Sequence, residues 1–378
     1  MSRHYLDHAS TSPTRPPVVE AMLPWLSAAG DPGRAHAEGR AARGAVEEAR
    51  QQVAAMLGVR PSGVVFTSGG TEAVNAAVWG ASRARPGAPV VYAAVEHAAA
   101  RDSSARAGGI VTPVDGLGRI DLDRLAALLD DLGPNGRPSL VHCQWGNHEV
   151  GTRQPVAEVV AMCRARRVPV HVDAVAAAGQ VPLDLGALGA DLVSVSAHKF
   201  GGPAGAGALI VRRGLRLDPL MLGGDQERAR RAGIENVAAV VGFGAACAAT
   251  DVASQAAAAR RHTDAALAGA RRVPGVRAFG DVADRLPHIV CVGVDGVEAE
   301  AVLIGLDQAG VAVHSGSACS SEALEPSPVL AAMGVDAARS LRVSVGWSTT
   351  DADVDAFTSA LPSVVARLRA LAGEASGS

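Results

Sequence analysis

"SVSAHKFGGPAGAGALIV", residues 194–211, contains the only lysine in a chain of 378 residues that carries 35 basic side chains, all the others arginine. The run begins as the end of an apolar strand, turns through glycines and re-enters an apolar strand. Arginine can carry surface charge, pair with a carboxylate or hold a phosphate as lysine does. Its guanidinium, however, keeps its proton at any working pH. A lysine amine, partly desolvated, becomes a nucleophile that forms a Schiff base with a carbonyl. Lys199, at a strand end beside glycines that permit close approach, is therefore a candidate for covalent chemistry.

Outward from this stretch the chain alternates in character. Short apolar runs recur at "GVVFTSG", "PVVYAAVEH", "SLVHCQWGN", "VPVHVDAV" and "DLVSVSAH". Between several of them lie stretches such as "IDLDRLAALLDDL" and "PVAEVVAMCRARR", with apolar residues at helical spacing. Such β-α alternation indicates an α/β fold with a mainly parallel sheet flanked by helices, and ligands gather at the carboxyl ends of such strands. From about Asp251 a long Ala/Arg helix leads into "GVRAFG", "HIVCVGV" and "SLRVSVG", which read as a smaller α+β unit. The expected division is a large domain over residues 14–255 and a small one formed by residues 1–13 with 256–378.

Composition narrows the classes further. Hydrophobic residues make up 48% of the chain and aromatic ones 3%, so the core is aliphatic. A net charge of −3 with both signs interspersed offers no basic face for nucleic acid. The longest apolar stretch, Val237 to Thr250, is too short and too rich in Gly and Ala to span a bilayer. The start "MSRHYLDHAS" lacks a signal peptide's apolar core, so a cytoplasmic location is expected. The five cysteines show neither a CxxC nor a metal-ligand spacing. Cys143, Cys163, Cys247 and Cys291 sit in apolar runs and read as buried thiols. Cys319 lies in "VHSGSACSSEALEPS", a polar stretch in which a thiol is accessible.

The commonest reason for a Schiff-base lysine is pyridoxal 5'-phosphate (PLP). Its ring nitrogen needs a carboxylate partner, and its phosphate needs backbone amides, ideally at a helix start. Asp173 in "VPVHVDAVAAAG" ends a strand and meets the first need. "FTSGGTEAVNAAVWG" meets the second, with the amides of Gly70 and Thr71 and the Thr71 hydroxyl. Ser196 and His198, beside the lysine, are further donors. His97 in "YAAVEHAAA" reads as another strand-end residue, able to stack on the ring. Arg342 in "SLRVSVG" can clamp a carboxylate bidentately. Each also fits a plainer role: Asp173 and the Gly70–Thr71 turn as helix caps, His97 as a packed side chain, Arg342 as a salt bridge at the domain junction.

With these residues assembled, the chain resembles the cysteine desulfurases, PLP enzymes of the class V aminotransferase family (fold type I). "YLDHASTSP", "GRAARGAVEEAR", "VVFTSGGTEAVN", "VEHAAA", "NHEVGTRQP", "HVDA", "SAHKFGGPAGAGAL" and "HSGSACSSEALEPS" follow in family order, nearly end to end. The lysine motif and the cysteine stretch are the most specific, and "SGSACSS" is similar to the branch with a longer cysteine loop. The resemblance implies a mixed, mainly parallel seven-stranded sheet and a homodimer. It implies L-cysteine as substrate, PLP on Lys199, a ring nitrogen kept protonated by Asp173, and His97 stacked on the ring. It further implies substrate contacts from Asn147 and Arg342, and a Cys319 thiolate that attacks the substrate sulfur. A persulfide for an acceptor protein and alanine result. A selenocysteine lyase, a cysteine β-lyase or an aminotransferase of the same fold is the alternative.

Three positions depart from the family pattern. Ala176 stands where a Gln bonds the cofactor's phenolic oxygen. His148 replaces the second Asn of Asn-Asn-Glu, and its imidazole can donate to that same oxygen. Ile234 replaces a Thr that reaches the partner subunit's cofactor phosphate.

Overall fold

Runs of β-branched residues, buried on both faces, form the strands at the centre of the molecule. The computed structural model describes residues 3–315 and 327–375, so Cys319 lies outside the described residues. The chain opens with β1 (His4–Tyr5), α1 (Pro16–Ser27) and α2 (Ala37–Leu57). It continues through β2 (Val64–Thr67), α3 (Gly70–Ala84), β3 (Val90–Ala93), α4 (Ala98–Arg106), β4 (Ile110–Thr112), α5 (Leu122–Leu132) and β5 (Leu140–Gln144). Next come α6 (Val156–Ala165), β6 (Val170–Asp173), the single turn α7 (Leu185–Leu188), β7 (Leu192–Ser196) and β8 (Gly207–Val211). A further turn, α8 (Gln226–Ala229), and α9 (Val237–Ala248) precede α10 (Val252–Ala270), β9 (Val276–Phe279) and β10 (Ile289–Val294). The described chain closes with α11 (Ala299–Gln308), β11 (Val311–Ala312), α12 (Pro328–Ala332), β12 (Ser340–Ser344) and α13 (Asp351–Ala375).

Strands β2 to β8 form one seven-stranded sheet in the order β2-β8-β7-β6-β5-β3-β4. Only β8 runs against its neighbours β2 and β7, which makes this the mixed, mainly parallel sheet expected. Strands β5, β6, β7 and β8 are buried at every position, and their near-continuous apolar character is that of a sheet covered on both sides. An antiparallel sheet, β12-β10-β9, follows the change of pattern near Asp251, and β11 from that part pairs in parallel with β1 at the chain's start.

One core cluster surrounds the large sheet, with Val91, Val172, Val195, Phe200 and Phe243 among its buried members. Phe279, Cys291 and Leu330 from the C-terminal part join it. A second cluster, including Leu6, Val292, Leu306, Leu341 and Phe357, lies under α10, α11 and α13. The apolar stretch starting at Val237 is α9, packed against α1 and α2. Among the described residues no single helix is long and apolar enough to cross a membrane.

One ion pair fastens the segment before α9. The Arg50 guanidinium donates to both oxygens of Glu227 at 2.7 Å, and Glu227 Oε2 also accepts from the Phe66 amide at 2.7 Å. Glu227, Arg228 and Ala229 all have φ between 48° and 60°, a region that costs residues with a Cβ about 1–2 kcal/mol each. The bidentate pair holds the turn in that conformation. Glu227→Ala leaves a buried guanidinium without its main partner, and chemical denaturation should show a loss of about 3–5 kcal/mol.

Candidate active site

Three neighbouring strands end side by side. Gln144 closes β5, Asp173 closes β6 and Ser196 closes β7, with Gln144 paired to Asp173 and Asp173 to Ser194. Beyond them opens a cavity of about 350 Å³ whose lining includes Gly70, Thr71, His97, His148, Asp173, His198, Lys199 and Arg342. The structure thus brings together most of the residues singled out in the sequence, drawn from segments far apart along the chain.

Lys199 sits in a short 3-10 turn, Ala197–Phe200, directly after β7. Its Nζ donates to the carbonyls of Ala9 at 2.6 Å and Ser10 at 3.0 Å. Its own carbonyl accepts from the Gln180 side chain at 3.0 Å, which holds the turn. Asp173 Oδ1 accepts from the Val175 amide at 2.9 Å while its residue lines the cavity, so the local capping role and the site role coexist.

The cavity and its surroundings fit PLP on two structural grounds, although Ser196 lies behind the lining residues and is not one of them. The hydroxyl of Ser196 is buried with no hydrogen-bond partner, an arrangement costly unless some group completes it. Helix α3, beside it, starts without a side-chain cap, as α1, α6 and α11 also do, but it alone of these starts at the cavity. Its leading amides are left for an anion. Close approach of the backbone is built in here. A Cβ on Gly70 would fall 2.6 Å from Val175 Cγ2, and one on Gly207 would fall 2.7 Å from Gly69.

His97 is not at a strand end. It lies beyond β3, at the N-cap of α4, where its Nδ1 accepts from the Ala99 amide at 3.1 Å. A backbone N–H aimed at Nδ1 requires that nitrogen to be bare, so the neutral ring carries its proton on Nε2. Burial lowers its pKa, the Asp173 carboxylate opposes that shift, and Lys199 adds to it. The His148 ring stands edge-on to it, centroids 5.1 Å apart. Burial, then His97, Arg342 and Lys199, push the His148 pKa well down. His198 is lowered to about 4, by burial and then by Lys199. These three imidazoles are neutral hydrogen-bonding groups at neutral pH.

Two expected substrate contacts look different in place. Asn147 is fully buried and absent from the cavity lining. Its amide oxygen accepts from Glu149 and Val150, and its Nδ2 donates to Val95, so it folds the 147–150 turn that presents His148. Arg342 does line the cavity, but Nη2 donates to Asp7 at 2.9 Å and Ser10 at 2.8 Å, and Nη1 to the His148 carbonyl at 2.9 Å. The salt-bridge role is therefore real, and only Nε is buried without a partner. Of the departures, Ala176 lines the cavity, whereas Ile234 is 64% exposed and lies outside it.

Sequence reasoning missed Gln144, Ser10 and His314 as lining residues. Gln144 had a signal, a polar residue closing an apolar run. Ser10 and His314 had none, because the chain path alone brings them there. The four described cysteines are buried, as expected. Burial pushes the Cys163 and Cys291 thiols up to about 12 and raises Cys143 and Cys247 as well, so none of the four is a thiolate at neutral pH.

This fold and cavity define a cofactor-dependent enzyme of the aminotransferase type. Residues 4–357 match the aminotransferase class-V family model, and the chain belongs to that family. It is 41% identical over 384 residues to a cysteine desulfurase of Cereibacter sphaeroides, covering 98% of each chain. It is 42% identical over 398 residues to an IscS-like cysteine desulfurase of Mycobacterium tuberculosis, covering 99% of each. Among solved structures, a NifS-like protein from Rickettsia africae superposes with a TM-score of 0.88 at 30% identity, covering 96% of this chain and 99% of that one. A structure of SspA in complex with cysteine gives 0.79 at 27% identity, over 92% and 100%.

Glu149 generates a stability prediction. Burial raises its carboxyl to about 7, against the opposing hydrogen bond that Ser327 Oγ donates to Oε2 at 2.6 Å. Between the unfolded value near 4.5 and about 7 the native state binds more protons than the unfolded one, so this group's contribution to stability falls as pH rises through that window. The contribution is on the order of 3 kcal/mol. Denaturation curves across this range should show that decline in the unaltered protein and a flatter profile in Glu149→Gln.

Proposed function

We propose that the chain works as a PLP-dependent cysteine desulfurase, taking L-cysteine to L-alanine and passing the sulfur to an acceptor protein. The observation that carries the proposal is the cavity in which Lys199 and Asp173 open beside an orphaned Ser196 hydroxyl and an uncapped helix. The cysteine-bound relative supports the choice of substrate. A homodimer, implied by the family resemblance, and the cytoplasmic location expected from the sequence complete the reading.

PLP supplies an aldehyde carbon for amines and a ring that accepts electron density from the substrate's α-carbon. Ser196 Oγ and the amides of Gly70 and Thr71 would hold its phosphate, with His198 beside them. Asp173 would keep a proton on the ring nitrogen. Lys199 would hold the group through its amine and move the proton at the substrate's Cα. His97 would face the ring and donate through Nε2, since its Nδ1 is committed to the helix cap. His148 would donate to the phenolic oxygen in the role Ala176 cannot fill. Arg342 supplies positive charge for the substrate carboxylate beside its ion pair with Asp7.

The nucleophile falls to Cys319, the one cysteine outside an apolar run. Its thiolate attacks the substrate sulfur, forming an S–S bond as the Cβ–S bond breaks. The electron pair of the broken bond stays on the carbon side, and a proton delivered to Cβ completes L-alanine. The persulfide left on Cys319 gives its outer sulfur to a thiol of the acceptor.

In protein loaded with PLP, borohydride reduction and peptide mapping should find the cofactor on Lys199. Lys199→Arg should lose both that adduct and alanine production. Cys319→Ser should keep the cofactor's colour but lose persulfide and alanine. Release of pyruvate in place of alanine from L-cysteine would overturn the proposal.

A further inference from the structure

Directly behind the cavity lies a second polar row. His142, His171 and Ser194 stand two residues before Gln144, Asp173 and Ser196 on β5, β6 and β7, hence on the same face, one step back along the strands. All three are fully buried. His171 Nε2 lies 2.7 Å from Ser194 Oγ, and its Nδ1 lies 2.7 Å from His142 Nδ1. His142 Nε2 is 3.2 Å from Glu96 Oε2, within ion-pair distance but out of hydrogen-bond alignment, and neither atom has a hydrogen-bond partner. The other Glu96 oxygen accepts from the Gln144 amide at 2.8 Å, and Glu96 immediately precedes His97.

The Nδ1–Nδ1 contact dictates how protons are arranged. Two bare nitrogens at this separation repel and two N–H groups clash, so one proton sits between the rings. With that proton on His171, Ser194 donates to His171 and His142 turns an N–H toward Glu96. The unit then carries the carboxylate's whole charge out of contact with water, which is expensive. One added proton reverses the chain. His142 then donates to His171, His171 Nε2 donates to Ser194, and the unit is neutral, either as an imidazolium–carboxylate pair or with Glu96 protonated.

We propose that Glu96, His142, His171 and Ser194 form a buried store for a single proton behind the active-site floor, acting as a positioning group whose charge state sets the field on His97 and the bound cofactor. The titratable groups nearest it are Cys143 on β5 with Cys163 of α6 beside it, Asp173 two residues beyond His171 on β6, and His97 next to Glu96; Lys199 and Arg101 act on His97 in turn. Burial holds the two thiols protonated. Burial, with His142 adding to it, lowers the affinity of His171 for a second proton, which favours one proton per unit. Only the effect on the cofactor rests on the proposed function; the store itself does not.

Nitrogen-15 NMR of histidine-labelled, cofactor-free protein tests the store. It should show one strongly downfield N–H shared by His142 and His171, with opposite protonation at their two Nδ1 atoms at every pH. Like protonation of the two atoms, or separate titration of the two rings, would overturn the proposal, and this measurement needs no variant. Because the charged, proton-empty unit is the costly one, the neutral unit is the resting state, and in loaded protein His142→Gln adds a negative charge by leaving Glu96 without its compensating proton. The pH midpoint of the cofactor's visible band should then rise by about half a unit or more, and His142→Gln with Glu96→Gln should bring it back. A midpoint unmoved in the single variant, or not restored in the double one, would overturn the electrostatic role, because a merely structural defect would not be repaired by removing a carboxylate. Failure of the unaltered protein to develop the band would instead sink the cofactor reading and leave the NMR result standing.

Discussion

Strands β5, β6 and β7 run parallel in a register that pairs Gln144 with Asp173 and Asp173 with Ser194. An amide and a carboxylate therefore leave the sheet at one level, while β7 runs two residues further to the Ser196 hydroxyl, which the turn carrying Lys199 follows. A slip of one residue in any of these strands would exchange the row facing the cavity for the apolar set on the other face. Burial on both sides of the sheet enforces the register, since every misaligned state would put Asp173 or the histidines against the aliphatic core. The chemistry at the strand ends is thus a by-product of aliphatic packing several residues earlier.

Much of this was readable in the residues themselves. The alternation of apolar runs and helical spacing gave the mainly parallel sheet, and an amine retained in an otherwise lysine-free chain pointed to Lys199. Asp173 and the Gly70–Thr71 turn were legible because their partners lie within a few residues. Asn147, Arg342 and His97 were harder, for one physical reason: their roles depend on partners set by the chain path. Asn147 faces Val95, Arg342 meets Asp7, and His97 turns into a helix whose start the sequence did not mark. The row of His142, His171 and Ser194 was hidden for the same reason. Each sits singly in an apolar run, and only strand pairing turns three isolated polar residues into a connected set.

Electrostatically the cavity keeps its charges few and fixed. Among the described residues, Lys199 and Arg342 are the cations in its lining and Asp173 is the carboxylate, while burial keeps His97, His148 and His198 neutral around them. Neutral imidazoles can donate or accept hydrogen bonds without adding to the field, so charge can be directed at particular atoms in a setting of low polarisability. The cap on His97 goes further by selecting which nitrogen holds the proton.

The contacts of the Lys199 amine with Ala9 and Ser10 are made to main-chain carbonyls. Every amino acid offers that oxygen, so the side chain at residue 9 can change over generations without erasing the acceptor. What selection must preserve is the route of the backbone past the amine, and Arg342, gripping Asp7 and Ser10 from the far end of the chain, pins that route. Inheritance at this spot acts on a path through space more than on the letters that trace it.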